Sequence, residues 1–316
     1  MIRYVLIRLL GFVATLLGAA IITFFVLDLL PGDPARFMLG ITATPESVAQ
    51  LRQTLGLDAP APERFFGWIG GMLSGDFGLS YTQRAPIAGL IAERMGITLP
   101  LALMAMLLSI AIGLPIGIAA ARRRGTAADT TLMGLMQIGV AIPNFWFGML
   151  LVLLFAVALR WLPPGGFVPW SQSPGGAFAS LILPALALGV PQAAILARVM
   201  RTALVDVAGA DFIRTARAKG LTRQQALWRH GVRNALLPVL TILGLQFAYL
   251  IAGTVIVENV FYLPGLGRLI FTAISERDLI LVRGAIMVLV VAVSLTMLLV
   301  DLLYAGVDPR LRRSGT

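Results

Sequence analysis

The chain lacks several residues on which protein chemistry commonly depends. It contains no cysteine, a single histidine at position 230 and a single lysine, Lys219, and charged residues make up only 13% of its 316 residues. Without cysteine there can be no disulfide and no thiolate metal site, and one histidine cannot form a histidine-rich zinc site. A soluble domain contains roughly 25% charged residues, so this composition excludes an ordinary soluble protein.

Nucleotide-binding and hydrolytic motifs are missing as well. A P-loop needs Gly-x-x-x-x-Gly-Lys-Ser/Thr to hold phosphates, but Lys219 follows an alanine and precedes Gly220. There is no zinc-protease motif and no Gly-x-Ser-x-Gly nucleophile elbow. The sequence therefore predicts a chain that is not an enzyme, holds no metal and binds neither ATP nor another cofactor itself.

Apolar sequence is what the chain has in abundance, since 58% of its residues are hydrophobic. A helix of about 20 apolar residues crosses the ~30 Å hydrocarbon core of a bilayer. Six charge-free runs meet this requirement, and they are residues 9–27, 97–121, 130–159, 178–197, 234–257 and 284–300. We therefore expect an all-α integral membrane protein with six transmembrane helices.

The distribution of positive charge predicts the orientation. Lysine and arginine accumulate in short loops on the cytoplasmic side of a membrane. Basic residues at Arg3 and Arg8, in residues 122–124, in residues 198–233 and near the C-terminus all fall on one side of the predicted spans. We therefore expect both termini to be cytoplasmic, and this topology accounts for most of the net charge of +10 without nucleic-acid binding.

Three regions follow from the pattern. Residues 1–96 comprise the first span and a long extracytoplasmic loop, residues 97–305 form the core transmembrane domain with a cytoplasmic loop at 201–235, and residues 306–316 are a cytoplasmic tail. Within the extracytoplasmic loop, residues 44–47 have the pattern of a helix start. Aromatic side chains further along suit the membrane interface. We expect short helices near the outer surface.

Polar residues in or at the ends of the predicted spans are candidates for a translocation pathway. They are Gln137, Asn144, Gln246 and Glu258. An amide or a carboxylate in hydrocarbon is unfavourable without a partner or water, so each should face a water-filled cavity or another helix. Hydrogen bonding between helices stays open as the alternative, as does contact with headgroup water for Glu258.

Glycine and proline indicate how the helices pack. Gly113-Leu-Pro-Ile-Gly117 matches Gly-x-x-x-Gly, a spacing that lets two helix backbones approach closely. Prolines inside spans are tolerated where neighbouring helices or water satisfy the freed carbonyls, and those that interrupt the pattern are Pro115, Pro143, Pro184 and Pro191. We expect a close helix contact at the glycines and a bundle of non-uniform helices.

The most specific local pattern lies in the polar segment between the fourth and fifth spans. Residues 211–218 favour a helix, Gly220 suits the position after its C-terminus, and Thr222 can cap a second helix that begins at Arg223. The turn between these helices is expected to project furthest into the cytoplasm. The charged and apolar side chains expected to contact a partner there are Arg217, Lys219, Arg223, Leu221 and Leu227.

This segment resembles the EAA loop of bacterial ABC-import permeases, in which Glu-Ala-Ala is followed by three residues, a glycine and, further on, Leu-Pro. Arg214-Thr-Ala216, Gly220 and Leu237-Pro238 stand at the matching positions. Arg214 and Thr215 replace Glu-Ala, and the interval to Leu-Pro is longer.

The wider chain resembles the B-type subunit of the dipeptide and oligopeptide permease family over nearly its whole length. The stretches that carry the resemblance occur in the same order as in the family. They are Arg8-Leu-Leu, Leu30-Pro-Gly-Asp-Pro-Ala35, Leu55-Gly-Leu-Asp58, Gly75-Asp-Phe-Gly-Leu-Ser80, Thr98-Leu-Pro-Leu-Ala102, Pro143-Asn-Phe-Trp-Phe-Gly148, Trp161-Leu-Pro163, Glu258-Asn-Val-Phe261, Pro264-Gly-Leu-Gly267 and Asp308-Pro-Arg310.

The resemblance implies a type I ABC importer permease fold in the bacterial cytoplasmic (inner) membrane, and a subunit that translocates di- or oligopeptides by alternating access. It implies three kinds of protein partner besides the lipid bilayer: a second homologous permease subunit, two cytoplasmic ABC ATPase subunits that use ATP and Mg, and an extracytoplasmic substrate-binding protein. The residues expected to couple to the ATPases are Thr215, Ala216, Arg217, Ala218, Lys219, Gly220, Leu221 and Arg223.

Two alternatives stay open. Permeases for nickel chelates or glutathione belong to the same family and look much alike. A secondary transporter or channel would need no ATPase, but it should carry charged or half-helix ion sites within the membrane, and charged residues are scarce in these spans.

Overall fold

The computed structural model describes residues 2–28, 33–40, 43–54 and 56–307. Within these ranges the helices are α1 (Ile2–Asp28), α2 (Pro34–Leu39), α3 (Pro45–Thr54), α4 (Ala61–Leu73), α5 (Ile87–Arg122), α6 (Ala127–Ala141), α7 (Asn144–Leu151), α8 (Pro174–Val207), α9 (Asp211–Ala218), α10 (Arg223–Ala226), α11 (Val232–Val260), α12 (Leu266–Ser275) and α13 (Leu279–Val307). Short π-helical stretches, Val152–Ala158 and Leu227–Gly231, follow α7 and α10. Strands β1 (Leu79–Ser80) and β2 (Ala85–Pro86) form an antiparallel hairpin. Most of the predicted C-terminal tail lies outside the described residues, as does Asp308-Pro-Arg310.

Five helices of the described chain are long and apolar enough to cross a membrane. They are Arg3–Val26, Ile87–Arg122, Pro174–Val207, Arg223–Val260 and Leu279–Leu302. A sixth candidate is α6 together with α7 and its π-helical extension, whose two halves are bent by 101°. The six predicted spans are therefore found as five helices and one bent pair.

The bend in the third span modifies the prediction of a single apolar run over 130–159. Helix α6 ends at Ala141, and Ile142 adopts an extended backbone with ψ 127° before α7 begins after Pro143. Proline disfavours the helical conformation of the residue that precedes it and has no N–H to continue a helix. Hydropathy alone does not reveal this change of direction.

Close packing of α5 on α8 forms the centre of the bundle, and it depends on the two glycines of the Gly-x-x-x-Gly pattern. A β-carbon at Gly113 would lie 2.6 Å from the carbonyl oxygen of Ala193, and one at Gly117 would lie 2.5 Å from that of Ala197. The predicted close contact is confirmed, and it is made within this chain. Around it, α5, α8 and α11 bury a core of aliphatic side chains that includes Leu101, Leu181, Leu188 and Leu250.

The region between α1 and α5 is folded into short helices, as predicted. At the start of α3, the Ser47 N–H donates to Thr44 Oγ1 at 3.2 Å and the Thr44 N–H donates to Ser47 Oγ at 3.0 Å, which confirms the expected helix start. The Phe65 ring on α4 packs edge-on against Phe24 of α1, with 5.3 Å between centroids. The Arg283 guanidinium of α13 lies 4.6 Å from the Phe24 ring centroid. The aromatic cluster therefore joins the loop to two membrane helices.

The β1–β2 hairpin is anchored by a buried carboxylate at the start of α13. Asp278 is fully buried and accepts hydrogen bonds from the hydroxyls of Ser80 at 2.6 Å and Thr82 at 3.0 Å. The Tyr81 hydroxyl accepts from the Leu279 N–H at 2.6 Å and donates to the Arg277 carbonyl. Burial raises the pKa of Tyr81 to about 12.

Candidate functional site

The turn between α9 and α10 is held by two well-defined helix caps. At the end of α9, the Gly220 N–H donates to the Arg217 carbonyl at 3.0 Å and the Leu221 N–H donates to the Ala216 carbonyl at 3.3 Å. This pair of bonds is the Schellman motif. Gly220 adopts φ +93°, a left-handed conformation that favours glycine. The prediction that Gly220 follows the C-terminus of this helix is confirmed.

The second cap fixes the start of α10. The Gln225 N–H donates to Thr222 Oγ1 at 3.2 Å, and the Thr222 N–H donates to Gln225 Oε1 at 2.9 Å, which together form a capping box. The predicted cap at Thr222 and helix start at Arg223 are confirmed. From there the chain continues as one helix, Arg223–Val260, through the π-helical stretch into α11.

The eight predicted coupling residues do not all face outward. Ala216 is only 7% exposed and packs with Ile213 and Ala226 in a small apolar cluster. Leu221 is half-buried against the same cluster. These two side chains hold α9 on α10. The six that are exposed are Thr215, Arg217, Ala218, Lys219, Gly220 and Arg223.

One predicted contact in this segment is wrong. Leu227 is 7% exposed and packs beneath the turn against Met200 and Leu204 of α8, so it supports the segment and is not available to a partner. Two aromatic residues that the sequence reasoning missed are available instead: Phe212 is 43% exposed and Trp228 is 49% exposed. Phe212 lies beside, and not within, the buried face of the short amphipathic helix α9, a pattern that the sequence shows. Trp228 lies in the π-helical stretch after α10.

A groove lies where the bent pair α6–α7 meets α8 and α11. Its volume is about 720 Å³, and its polar lining residues include Asn144, Gln192 and Gln246. Gln246 is only 4% exposed, and its Nε2 donates to the Gln192 carbonyl at 2.9 Å. Its buried Oε1 accepts no hydrogen bond from the described residues. The groove is therefore lined mainly by apolar side chains together with a small number of residues that carry amide groups.

The structure brings only two of the four predicted pathway residues into this groove, Asn144 and Gln246. Gln137 is exposed and accepts a hydrogen bond from the Arg198 guanidinium. Glu258 is fully buried elsewhere and accepts from Thr98 Oγ1 at 2.6 Å. Gln137 and Glu258 therefore both form hydrogen bonds between helices, which is the alternative that the sequence left open.

Gln192 was missed by sequence reasoning, although an amide that follows Pro191 within an apolar span carries the same signal as Gln246. Its side chain is 4% exposed, and its carbonyl receives the Gln246 hydrogen bond. The two glutamines join α8 to α11 at the groove.

Comparison with known families identifies the chain. Residues 113–313 match the family described as binding-protein-dependent transport system inner membrane component, and residues 1–102 match the N-terminal membrane component of such systems. The chain belongs to the binding-protein-dependent transport system inner membrane component family. It is a multi-pass inner-membrane protein and a transport subunit of an ABC importer, and family members act in a complex with an ATPase and a binding protein.

Individual relatives cover nearly the whole chain. A putative peptide transport system permease protein of Brucella abortus (strain 2308) is 43% identical over 300 residues, which are 95% of this chain and 96% of that protein. The glutathione transport system permease protein GsiC of Salmonella typhi is 42% identical over 312 residues, 99% of each chain.

A solved structure shows the fold. An inward-facing conformation of the MetNI methionine ABC transporter matches with a TM-score of 0.58 at 19% identity, covering 69% of this chain and 96% of that one. The predicted all-α type I ABC importer permease fold is confirmed.

Proposed function

We propose that this chain is the permease subunit that translocates di- or oligopeptides across the inner membrane by alternating access. The observation that carries the proposal is the amide-containing groove at Gln246, which lies on the same helix, Arg223–Val260, that begins directly after the capped turn at Thr222. A permease needs a substrate path and a surface on which the ATPase acts, and here one element connects the two. The peptide transport relative at 43% identity supports the substrate class.

The exposed α9–α10 turn is the surface that the ATPase contacts. Arg217, Lys219 and Arg223 surround it with positive charge, and both helix ends are fixed by caps. A partner that binds the turn in only one nucleotide state shifts the bundle between two conformations. The assembled transporter also contains a second homologous permease and two cytoplasmic ATPases that use ATP and Mg. Both termini of this chain face the cytoplasm.

The extracytoplasmic loop and the transmembrane core are assigned the other roles that an importer requires. Within residues 1–96, the extracytoplasmic loop 31–96 contacts the binding protein, and residues 97–305 form the transmembrane core that contains the coupling loop 201–235. Gln246 lines the groove, and its Oε1 is buried without a partner among the described residues; a side-chain rotation that exposes it would present an acceptor to the amide N–H groups of a peptide backbone. Recognition through backbone amides is compatible with many side chains.

Uptake by the reconstituted transporter tests the substrate class. Proteoliposomes with the permease pair, the ATPases and the cognate binding protein should take up di- or oligopeptides when ATP is inside, and less glutathione or nickel-histidine. Preferential uptake of glutathione or of the nickel chelate would overturn the peptide assignment. Uptake that persists without the ATPases would indicate a secondary transporter.

Substitution in the turn tests the coupling surface. Gly220→Asp should leave membrane insertion intact and abolish ATPase association or transport, because it strains the left-handed position and places an acid among the basic side chains. Gly209→Asp is the matched control, since Gly209 is exposed nearby without a left-handed backbone. Unchanged transport by the Gly220→Asp variant would contradict the assignment of this turn as the coupling surface.

A further inference from the structure

A second cavity lies beside the coupling turn, and Arg223 is the one predicted coupling residue that lines it. Its volume is about 570 Å³, and it is enclosed by the end of α5, by α6 and by the start of the α10–α11 helix. The aliphatic part of its lining includes Ile118, Leu132, Leu204 and Leu227. The polar part of its lining comprises Arg122, Arg123, Arg223 and Gln224.

The three arginines give this cavity an excess of positive charge. None of them forms an ion pair within the described part of the chain. Asp129 of the neighbouring helix α6 is occupied by Arg201, whose Nε and Nη2 each donate to its carboxylate at 2.6 Å. Guanidinium groups match the oxygen geometry of a phosphate and can donate two parallel hydrogen bonds to it. The polar part of the lining therefore suits a phosphate group.

The cavity lies at the boundary between apolar and polar sequence. Arg122 is the last residue of the membrane-spanning helix α5, directly after its apolar run. Trp228 also lines the cavity and is 49% exposed, and the Arg122 guanidinium lies 5.9 Å from its ring centroid. Tryptophan is enriched at the headgroup level of a bilayer. The arrangement therefore brings cationic and aliphatic side chains into one cavity, at the end of a membrane-spanning helix.

We propose that this cavity binds an anionic phospholipid, with the phosphate at Arg122, Arg123 and Arg223 and an acyl chain against Ile118 and Leu132. Basic pockets between transmembrane helices on the cytoplasmic side are suited to anionic headgroups. A soluble phosphate would use the arginines alone and leave the aliphatic interior without a partner. The inference rests on the proposed function, because the ATPase-facing turn defines this side as cytoplasmic.

The bound lipid would touch the coupling segment directly. Arg223 and Gln224 are the first residues of α10, immediately after the Thr222 cap. A phosphate held between them and the end of α5 would fix α10 to α5. Transport should therefore depend on the anionic lipid content of the membrane.

Native mass spectrometry of the purified complete transporter tests the site. The probes are phosphatidylglycerol, zwitterionic phosphatidylcholine and inorganic phosphate, each added to delipidated complex. The Arg122→Gln/Arg123→Gln variant should bind phosphatidylglycerol about tenfold or more weakly than the unmodified complex, since each arginine near an anionic headgroup contributes to its binding. Arg223 is left unchanged because it belongs to the proposed coupling surface.

The matched control is Arg229→Gln/Arg233→Gln, which removes the same charge from exposed residues that do not line the cavity. It should retain phosphatidylglycerol like the unmodified complex. Equal loss in both variants would overturn the site, because it would mean that total charge alone attracts the lipid. Equal retention of phosphatidylcholine and phosphatidylglycerol would also overturn it.

A variant that fills the cavity with a larger side chain distinguishes a bound lipid from a bound soluble anion. Leu132→Trp should displace phosphatidylglycerol by occupying the aliphatic interior, and competition by inorganic phosphate should be weak. Displacement of phosphatidylglycerol by millimolar phosphate would overturn the lipid assignment in favour of a soluble anion. The lipid measurement requires neither substrate nor ATP, so its result does not depend on transport. If the ATPase subunits are absent from the same spectra, the proposed function is contradicted and the lipid site is not.

Discussion

The hydroxyl of Thr98 on α5 donates a 2.6 Å hydrogen bond to the buried carboxylate of Glu258 on α11. The same hydroxyl accepts from the Leu266 N–H at 2.8 Å, and the second carboxylate oxygen accepts from the Arg268 N–H at 3.1 Å. Two of the first N–H groups of α12 are thereby satisfied, that of Leu266 by a hydroxyl and that of Arg268 by a carboxylate, whose charge the helix dipole favours. Glu258 thus fixes α12 to two membrane helices.

Removal of the Thr98 hydroxyl should destabilise the protein. Thr98→Val keeps the shape of the side chain but leaves the Glu258 carboxylate without this donor and the Leu266 N–H without its acceptor, and a buried unsatisfied group costs about 1–3 kcal/mol. Thermal unfolding of the purified protein measures the loss. Thr98→Ser retains the hydroxyl and is the control. Equal stability of the Val and Ser variants would show that the hydrogen bonds contribute little.

A methyl group at Gly117 should separate α5 from α8. Its β-carbon would meet the Ala197 carbonyl oxygen at 2.5 Å and the Met200 β-carbon at 2.8 Å, and overpacking of this kind costs about 1–3 kcal/mol. Gly117→Ala should therefore lower the unfolding temperature. Gly89→Ala on the same helix is the control, since nothing lies within 4 Å of its β-carbon. If both variants unfold at the same temperature, the close approach is not a determinant of stability.

Conformation, and not space, limits substitution at Gly220. No atom lies within 4 Å of a β-carbon placed there, but its φ is +93°, and a left-handed conformation costs an L-residue about 1–2 kcal/mol. Gly220→Ala should speed amide hydrogen exchange in α9 and α10 and reduce ATP-driven uptake. Gly220→Asn should have a smaller effect because asparagine tolerates this region better. Identical exchange in the Ala and Asn variants would argue against a conformational cause.

Replacement of Gln246 by leucine should impair transport without unfolding the protein. The variant loses the hydrogen bond to the Gln192 backbone carbonyl and the amide oxygen of a residue that lines the groove. The loss of one hydrogen bond to a peptide, about 1 kcal/mol, corresponds to a rise of about fivefold in the peptide concentration at half-maximal uptake. Gln137→Leu removes an amide outside the groove and should leave this concentration unchanged. A larger effect from Gln137 would place the path elsewhere.

Tyr81 should ionise late in an alkaline titration. Burial raises its pKa to about 12, above the value of about 10 for an unfolded chain. The stability that this neutral phenol contributes is therefore complete below about pH 10 and is lost between about pH 10 and pH 12. The difference in phenolate absorbance between the native protein and Tyr81→Phe isolates this group. A midpoint near pH 10 in that difference would contradict the burial.

Local patterns predicted local structure well. Gly220 and Thr222 identified both caps, because cap geometry depends on the residues within one turn. The helix start at Thr44 was predicted for the same reason. Charge-free runs located the spans but not their ends: Glu93 and Arg94 interrupt the apolar run, yet α5 extends outward through them to Ile87.

Relationships between distant residues could not be predicted from a single sequence. Thr98 and Glu258 are 160 positions apart, and no local sequence pattern predicts the hydrogen bond between them. The burial of Leu227 has the same origin, since only the packing of α8 beneath the turn removes it from the surface. The 101° bend after α6 likewise depends on what the two halves pack against, although Pro143 marked its position.

The continuity of Arg223–Val260 gives the molecule a lever arm. At 1.5 Å per residue, Gln246 lies about 35 Å along the axis from Arg223, so a tilt of about 5° about one end displaces the other by about 3 Å. That displacement is comparable to the length of one hydrogen bond. A small rotation at the surface of the protein is therefore sufficient to make or break a contact at Gln246, and the π-helical stretch Leu227–Gly231 and Pro238 are the points between them where the helix can bend.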